Sequence, residues 1–355
     1  MNAKLLENIR QVVPYVPGEQ PQNKVIKLNT NENPYPPSPK VEEVLHNLDA
    51  DLFRLYPDPS CEKLVETLAD FYEVKPEQVF VGVGSDDVIA MSFLTFFNSD
   101  KPILFPNISY SFYEVWANLY RIPYECKALN DEFHIVKEDY YGENGGIIFP
   151  NPNAPTAIYE ELDFVEDIIV ANPDVIVMVD EAYIDFAGKS AIELVDKYDN
   201  LIVTQTFSKA RSMAGMRIGY AISNPTLISY LNAAKHSFNS YTINQVSLAC
   251  GIEAVKDKIY FNDTVNKIIE TREWAKKELT ELGFQYPDSC ANFIFATHPE
   301  YDAKELFEAL KNENIYVRHW NKDRISQFLR ITIGTKEEMQ ELFAFLKKYM
   351  KTTEV

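Results

Sequence analysis

The feature that most limits the possible folds is an apolar run that ends in an acid. Residues 175–183 read VIVMVDEAY: five apolar residues, four of them β-branched, and then Asp180. Such a run is typical of a strand buried on both faces, as in a parallel sheet covered by helices. Ligands of open α/β sheets bind at the carboxyl ends of these strands. Asp180 and Tyr183 are therefore candidate site residues, and the alternative is that Asp180 only caps the next helix.

A second stretch collects groups that suit a phosphate dianion. Residues 206–217 read TFSKARSMAGMR. Arg217 offers a planar fork of donors, and the hydroxyl groups of Thr206 and Ser208 offer neutral donors. The pattern indicates a site for a phosphorylated ligand.

Lys209 lies within this stretch, among small and hydroxyl-bearing residues. A lysine in a partly desolvated pocket loses its proton more easily, so it can attack a carbonyl and form a Schiff base. A lysine beside a phosphate site indicates pyridoxal phosphate (PLP), whose pyridine nitrogen needs a carboxylate such as Asp180. The alternative is a surface lysine at the start of a helix.

A glycine turn after the predicted strand 78–83 offers a second anion site. Gly84 is followed by Ser85 and Asp86, which open a predicted helix. Free N–H groups at a helix start bind anions, so the backbone of both residues and the Ser85 hydroxyl are candidate phosphate donors. The third glycine of a dinucleotide fingerprint is missing. The alternative is an ordinary helix cap by Ser85.

Composition and length exclude several classes. A chain of 355 residues is too long for one core, so two domains are expected. The net charge of −19 weighs against nucleic acid and anionic membranes as partners. Four scattered cysteines and five dispersed histidines argue against a metal site and fit a cytoplasmic protein. The N-terminus lacks the apolar core of a signal peptide, and no apolar window spans a bilayer.

Seven motifs occur in order along nearly the whole chain: KLNTNENPYPPSP (27–39), YPDP (56–59), VGVGSDD (81–87), NPNAPTA (151–157), VDEAY (179–183), TFSKARSMAGMRIGY (206–220) and LRITIGT (329–335). By these motifs the chain resembles the fold-type-I PLP-dependent aminotransferases, and among them the histidinol-phosphate aminotransferase subfamily. The resemblance implies an α/β fold with a mostly parallel central sheet, helices on both of its faces and a smaller α+β domain. We expect an N-terminal arm (1–38), a large PLP-binding domain (39–257) and a small domain (258–355) that the arm joins.

The resemblance also implies roles for single residues. Lys209 would carry PLP and act as acid and base, with Asp180 at the pyridine nitrogen and Tyr183 near the ring oxygen. The PLP phosphate would be held by Ser85, Asp86, Ser208, Arg217 and, more weakly, Thr206. Tyr110 would stack on the ring, and Tyr56 would reach the PLP of a neighbouring subunit, which makes the protein a homodimer. The alternative for Tyr56 is burial under its own turn.

Substrate-side roles fall on Tyr15, Asn29, Arg318 and Arg330. For the first two, the alternative is a plain connecting arm. The two arginines suggest an anionic substrate in an otherwise acidic protein. Arg324 lies between them in sequence, and we favour a solvated loop charge for it.

The chain departs from the family pattern in NPNAPTA. Ala154 stands where the family has the asparagine that bonds the ring oxygen, and Ala157 stands where it has glycine. Asn153 is a candidate replacement for that asparagine. Tyr183 would then carry more of the hydrogen bonding to the ring oxygen.

The activity implied by the resemblance is transfer of an amino group from L-histidinol phosphate to 2-oxoglutarate, which gives imidazole acetol phosphate and L-glutamate in histidine biosynthesis. Two alternatives share every motif: an aromatic amino-acid aminotransferase, and a threonine-phosphate decarboxylase of cobalamin synthesis. A PLP-fold protein that only binds is disfavoured, because Lys209 and Asp180 are both present.

Overall fold

The computed structural model describes residues 3–353. Twelve strands are formed by these residues: β1 (Ile26–Lys27), β2 (Val79–Gly82), β3 (Ile103–Pro106), β4 (Tyr124–Lys127), β5 (Ile147–Pro150), β6 (Val177–Asp180), β7 (Leu201–Thr206), β8 (Gly219–Ser223), β9 (Phe293–Ala296), β10 (Ile315–Tyr316), β11 (Arg318–His319) and β12 (Leu329–Thr332).

Eleven α-helices occur in the same described range: α1 (Ala3–Glu7), α2 (Pro39–His46), α3 (Glu62–Tyr72), α4 (Ser85–Phe96), α5 (Phe112–Tyr120), α6 (Leu162–Ala171), α7 (Pro225–Phe238), α8 (Gln245–Lys256), α9 (Lys258–Glu281), α10 (Ala303–Asn312) and α11 (Lys336–Thr353).

A seven-stranded sheet in the order β2-β8-β7-β6-β5-β3-β4 forms the centre of the molecule. Strands β4, β3, β5, β6 and β7 run parallel, and β8 runs antiparallel to both of its neighbours. Apolar side chains of the same strands are buried on both faces, for example Val177 and Val179 in one core cluster and Met178 in another. Because β6 is buried on both faces, its sequence does not alternate between apolar and polar residues.

A second, three-stranded antiparallel sheet has the order β11-β12-β9. Its core also takes in side chains of α9, α10 and α11. The N-terminal arm reaches this region, because β1 pairs in parallel with β10 and the Thr332 N–H donates to the Leu28 carbonyl at 3.0 Å. The division of the chain into residues 1–38, 39–257 and 258–355 stays a prediction.

The N-terminal helix differs from its expectation. The spacing of Leu5, Leu6, Ile9 and Val12 predicts an amphipathic helix over residues 1–14, of which the first two lie outside the described residues. The structure ends α1 at Glu7, and Leu5, Leu6, Ile9 and Val12 are 45–58% exposed. A five-residue helix is marginal on its own, and its apolar side finds no core to pack against in the described part of the protomer.

Two general features of the described residues bear on function. No helix within residues 3–353 is long and apolar enough to cross a membrane. The same residues contain no group of three or more side chains arranged to hold a metal ion.

Candidate active site

One edge of the central sheet gathers the polar motifs. The parallel strands β5, β6 and β7 end there, and the antiparallel β8 begins there, with Gly219 opposite Thr206 on β7 and Gly82 on β2. Arg217 precedes β8 and Lys209 follows β7, so both come to the edge at which β6 ends in Asp180. Because β8 runs in the reverse direction, Arg217 in the loop before it lies beside the turn that carries Lys209, here called the lysine turn.

Asp180 is buried at this edge. Its side chain is 4% exposed, and its Oδ2 accepts a hydrogen bond of 2.7 Å from the Tyr113 hydroxyl. Burial raises its pKa to about 6, although the Tyr113 hydroxyl, the Ala182 N–H and the charge of Lys209 lower it. Because burial makes the lone carboxylate costly, a cation placed against it would be bound favourably. This environment fits a protonated pyridine nitrogen.

The lysine turn is held by the N-terminal arm. Lys209 Nζ donates to the Thr30 carbonyl at 3.2 Å and lies 5.6 Å from the ring centroid of Tyr183. Asn33 Nδ2 lies 3.2 Å from the carbonyl oxygens of both Lys209 and Ala210. The amine is therefore kept on the Tyr183 side of the site by contacts that come from residues 30–33.

An anion cradle lies at the start of α4. Gly84 has φ +84°, and a Cβ built on it would lie 2.4 Å from Arg217 Nη2. Arg217 also lies 3.4 Å from the Ser208 hydroxyl, and the Thr206 hydroxyl donates to the Ser208 oxygen at 3.0 Å. A guanidinium, a hydroxyl group and the first N–H groups of a helix converge where glycine leaves room, so these residues fit a phosphate.

Asp86 adds a side-chain contact to this cradle. Its Oδ2 pairs with Arg217 Nη2 at 3.1 Å, and its Oδ1 accepts from the Tyr110 hydroxyl at 2.8 Å. The sequence prediction used only the backbone of Asp86 and only the ring of Tyr110. The carboxylate orients both side chains, and a bound phosphate would compete with it for Arg217.

Asn153 lacks a donor to spare for a ring oxygen. Its Nδ2 lies 3.0 Å from both the Ile108 carbonyl and the Thr156 hydroxyl, which uses both amide hydrogens. The side chain is 2% exposed, and its Oδ1 has no hydrogen-bond partner among the described residues. The geometry does not support Asn153 as the replacement for the asparagine missing at Ala154, because its amide is committed to the neighbouring turn.

A pair of arginines forms the second charged feature. Arg318 on β11 stands opposite Arg330 on β12, and Trp320 lies 5.4 Å and 5.3 Å from the two guanidinium carbons. Arg330 Nη2 donates to the Asn29 carbonyl at 2.7 Å, whereas its Nε has no hydrogen-bond partner within the described chain. Tyr15 is half-buried, and both arginines lower its pKa although burial raises it overall. Two positive charges therefore lie close together beside Tyr15.

Comparison with known proteins tests the family. The family model described as "Aminotransferase class I and II" matches residues 23–346. The chain belongs to this family. Histidinol-phosphate aminotransferases from Clostridium botulinum (strain Langeland) and Lactococcus lactis subsp. cremoris (strain MG1363) are 51% and 50% identical to it, each over 98% of both chains. The predictions of an enzyme, an aminotransferase and a PLP cofactor are confirmed.

A solved structure confirms the fold of the aminotransferase. The histidinol-phosphate aminotransferase of Sinorhizobium meliloti, determined with pyridoxal-5'-phosphate, matches with a TM-score of 0.85 at 22% identity. The match covers 93% of this chain and 92% of that one. The predicted α/β architecture, with a mostly parallel sheet and helices on both faces, is therefore correct.

Three predicted residues of the aminotransferase lie in surroundings that sequence did not define. Tyr56 is 80% exposed and stacks on Tyr241, with ring centroids 4.5 Å apart, so it is not buried under its own turn. Asn29 donates its side-chain amide to the Glu19 carbonyl at 2.8 Å. Arg324 is exposed and donates to the carbonyl oxygens of Leu129 and Asn130, and its assignment as a solvated loop charge stays a prediction.

Sequence reasoning about the aminotransferase missed several residues near the site. Tyr113 was not among the predicted site residues, yet its hydroxyl donates to Asp180. A buried tyrosine needs a partner for its hydroxyl, which is a signal that could have been used. Asn31, which donates to Tyr183, and Trp320, which contacts both arginines, gave no comparable signal in the sequence.

Proposed function

We propose that this aminotransferase moves the amino group of L-histidinol phosphate to 2-oxoglutarate, in histidine biosynthesis. The observation that carries the proposal is the Arg318–Arg330 pair beside Tyr15. Two guanidinium groups suit a phosphate dianion on a donor, and a carboxylate of the acceptor can use the same groups. The 51% identity to a protein named for this activity supports the same donor.

Lys209 is the proposed point of attachment of PLP and the group that moves a proton. Its Nζ, which lies 3.2 Å from the Thr30 carbonyl, is released when the amine of the donor takes its place, and the free amine can then take the proton from the carbon that bears the donor's amino group. When bound, PLP supplies an electron sink for the electrons left at that carbon. Lys209 then returns the proton during transfer of the amino group.

The remaining residues would hold the cofactor in place. Asp180 pairs with the protonated pyridine nitrogen, and the Tyr113 hydroxyl orients its carboxylate. Tyr183 donates to the ring oxygen, and Tyr110 packs on the ring. The phosphate is bound by the backbone of Ser85 and Asp86, the Ser85 hydroxyl, Ser208 and Arg217, with Thr206 supporting Ser208. Tyr15, Asn29, Arg318 and Arg330 line the substrate side.

An exposed apolar patch supports the proposed homodimer. Its members are 44–80% exposed on one protomer: Leu52, Phe53, Leu55, Tyr56, Phe238 and Tyr241. Contiguous apolar patches of this kind mark interfaces, and a second copy would bury Tyr56 near the phosphate of its PLP. The four cysteines are free thiols, which supports the cytoplasm as the place of action.

The test is a visible absorption spectrum of the protein loaded with PLP. We expect a yellow band that bleaches with L-histidinol phosphate and returns with 2-oxoglutarate, and that Lys209→Ala abolishes. A band that bleaches only with an aromatic amino acid would overturn the donor. Release of carbon dioxide from threonine phosphate would show that the reaction is a decarboxylation and not a transamination.

A further inference from the structure

Asn31 ties the N-terminal arm to Tyr183 in a fixed orientation. Its Nδ2 donates a hydrogen bond of 2.9 Å to the Tyr183 hydroxyl oxygen. The backbone N–H of Asn31 donates to Thr332 Oγ1 at 3.0 Å, and Thr332 Oγ1 donates back to Asn31 Oδ1 at 3.1 Å. Because the Thr332 hydroxyl occupies the amide oxygen, the amide nitrogen must face Tyr183.

The backbone of Asn31 is equally constrained. Its φ is +56°, a left-handed conformation that asparagine tolerates better than most residues. Its carbonyl accepts from Asn292 Nδ2 at 3.0 Å, and its side chain is 1% exposed. Contacts at the N–H, the carbonyl and both ends of the amide hold the donor to Tyr183 in one place.

The hydrogen of the Tyr183 hydroxyl must then point elsewhere. A phenol oxygen that accepts from Asn31 keeps its own hydrogen for another acceptor. Ala154 has no polar side chain, and both amide hydrogens of Asn153 are used. Tyr183 is thus left to supply the donor at this side of the site.

We propose that Asn31 is a positioning residue that directs the Tyr183 hydroxyl hydrogen to the ring oxygen of bound PLP, and that this contact supplies a donor that neither Ala154 nor Asn153 offers there. The inference rests on the role of Tyr183 given under the proposed function. It adds a residue of the arm that acts on the cofactor only through the tyrosine.

The inference makes a spectroscopic prediction. A donor to the ring oxygen stabilises negative charge there and lowers the pKa read from the pH titration of the visible band of the PLP bound to Lys209. Loss of a well-oriented donor should raise that pKa by roughly one unit. A residue that served only the fold of the arm would not shift the titration through Tyr183.

The experiment is a double-mutant cycle with the PLP-loaded protein. Asn31→Gly removes the side chain and tolerates the positive φ. We expect it to raise the titration midpoint by roughly one pH unit in the wild-type background and by almost nothing in Tyr183→Phe, because the tyrosine is the only route for its effect. An unshifted midpoint, or the same shift in both backgrounds, would overturn the inference.

Thr332→Val provides a second variant that leaves Asn31 in place. It removes the hydroxyl that orients the amide and is close in shape to threonine. We expect a smaller upward shift that again disappears in Tyr183→Phe, and an unchanged midpoint would count against the proposal. The wild-type spectrum distinguishes failure of the proposed function from failure of this inference. A wild-type protein that forms no visible band with PLP contradicts the proposed function. A normal band whose titration midpoint Asn31→Gly leaves unshifted contradicts only this inference.

Discussion

Arg318 and Arg330 stand directly opposite each other on the antiparallel strands β11 and β12, with their guanidinium carbons 5.4 Å and 5.3 Å from the ring centroid of Trp320. Like charges directly opposite destabilise a strand pair. Cation–π attraction of roughly 0.5–2 kcal/mol for each guanidinium opposes that repulsion. Trp320 therefore helps to hold two positive charges close together before an anion arrives.

Replacing Trp320 by alanine should weaken binding of phosphorylated donors. Loss of the shared ring lets the two guanidinium groups separate, so we expect the KM for L-histidinol phosphate to rise about tenfold with a smaller change in kcat. Trp320→Phe should retain most of the affinity. Steady-state kinetics with L-histidinol phosphate and with an aromatic amino acid would show whether the loss follows the phosphate.

Trp274 offers a matched control for this prediction. It packs on Phe343 and beside Lys336, away from the arginine pair. Trp274→Phe should leave the KM for L-histidinol phosphate near the wild-type value. An equal loss in both tryptophan variants would mean that the effect is one of global stability.

A methyl group at Gly219 should disturb the phosphate cradle. A Cβ there would lie 2.2 Å from the Ser85 nitrogen and 2.3 Å from the Gly84 carbonyl carbon, so the backbone must move. We expect Gly219→Ala to weaken PLP binding at least about tenfold and to lower the free energy of unfolding by roughly 1–3 kcal/mol.

Gly215→Ala is the control, because a Cβ at Gly215 meets no atom of the described residues within 4 Å. Its PLP affinity and stability should be close to those of the wild type. Fluorescence titration with PLP and urea unfolding measure the two quantities. Wild-type PLP affinity in Gly219→Ala would show that the cradle tolerates the shift.

Ionisation of Asp180 should lower the free energy of unfolding of the PLP-free protein as the pH rises. Its pKa is about 6 in the folded protein against 3.8 for the free side chain, so the folded state holds this proton more tightly. The stabilisation of the folded state by this proton is fully present below about pH 4 and is lost as the pH rises through about 6. The free energy of unfolding changes by roughly 3 kcal/mol over this range.

Asp180→Asn should remove this pH dependence. We expect the two PLP-free proteins to be similarly stable near pH 4 and the variant to be more stable near pH 7.5, where the wild type buries a charge. The same variant should bind PLP more weakly. Urea unfolding at both pH values tests the first claim, and a wild type that is the more stable protein at pH 7.5 would contradict it.

Hybrid dimers test whether Tyr56 serves the neighbouring site. A Lys209→Ala subunit keeps a normal Tyr56, and a Tyr56→Ala subunit keeps a normal Lys209. If Tyr56 acts in trans, unfolding and refolding the two variants together should restore one complete site in each hybrid dimer. Activity at limiting PLP would then exceed the sum of the separate variants, and simple additivity would place Tyr56 in its own subunit's site or outside any site.

The strands of the central sheet could be predicted where burial on both faces produces a continuous apolar run in the sequence. The apolar run before Asp180 becomes β6, within two residues of the predicted start. Strand β4 was missed because its four residues, YECK, lie at the sheet edge and carry two charges. The run IYVR at 315–318 predicts a single strand but forms two, β10 and β11, because the chain leaves β1 to pair with β12.

The chemistry of the site could be predicted from motifs, whereas its orientation could not. Asp180 and Lys209 came to the expected sheet edge because the ends of parallel strands meet there, whereas Arg217 reaches it through the loop that precedes the antiparallel strand β8. The partners that orient them are distant in sequence: Tyr113 is 67 residues from Asp180, and Asn31 is 152 residues from Tyr183. Contacts at such separations depend on topology, which a local pattern does not encode.

The contact between Asn31 and Thr332 spans 301 residues of a 355-residue chain. A ribosome that adds residues from the N-terminus exposes the arm long before it supplies the partner 301 residues further along. The lysine turn and the central sheet can be complete while residues 29–33 still wait for β12. During synthesis, the pocket around Lys209 therefore takes its final form only after residue 332 has been added, and a chain truncated before that residue would lack it.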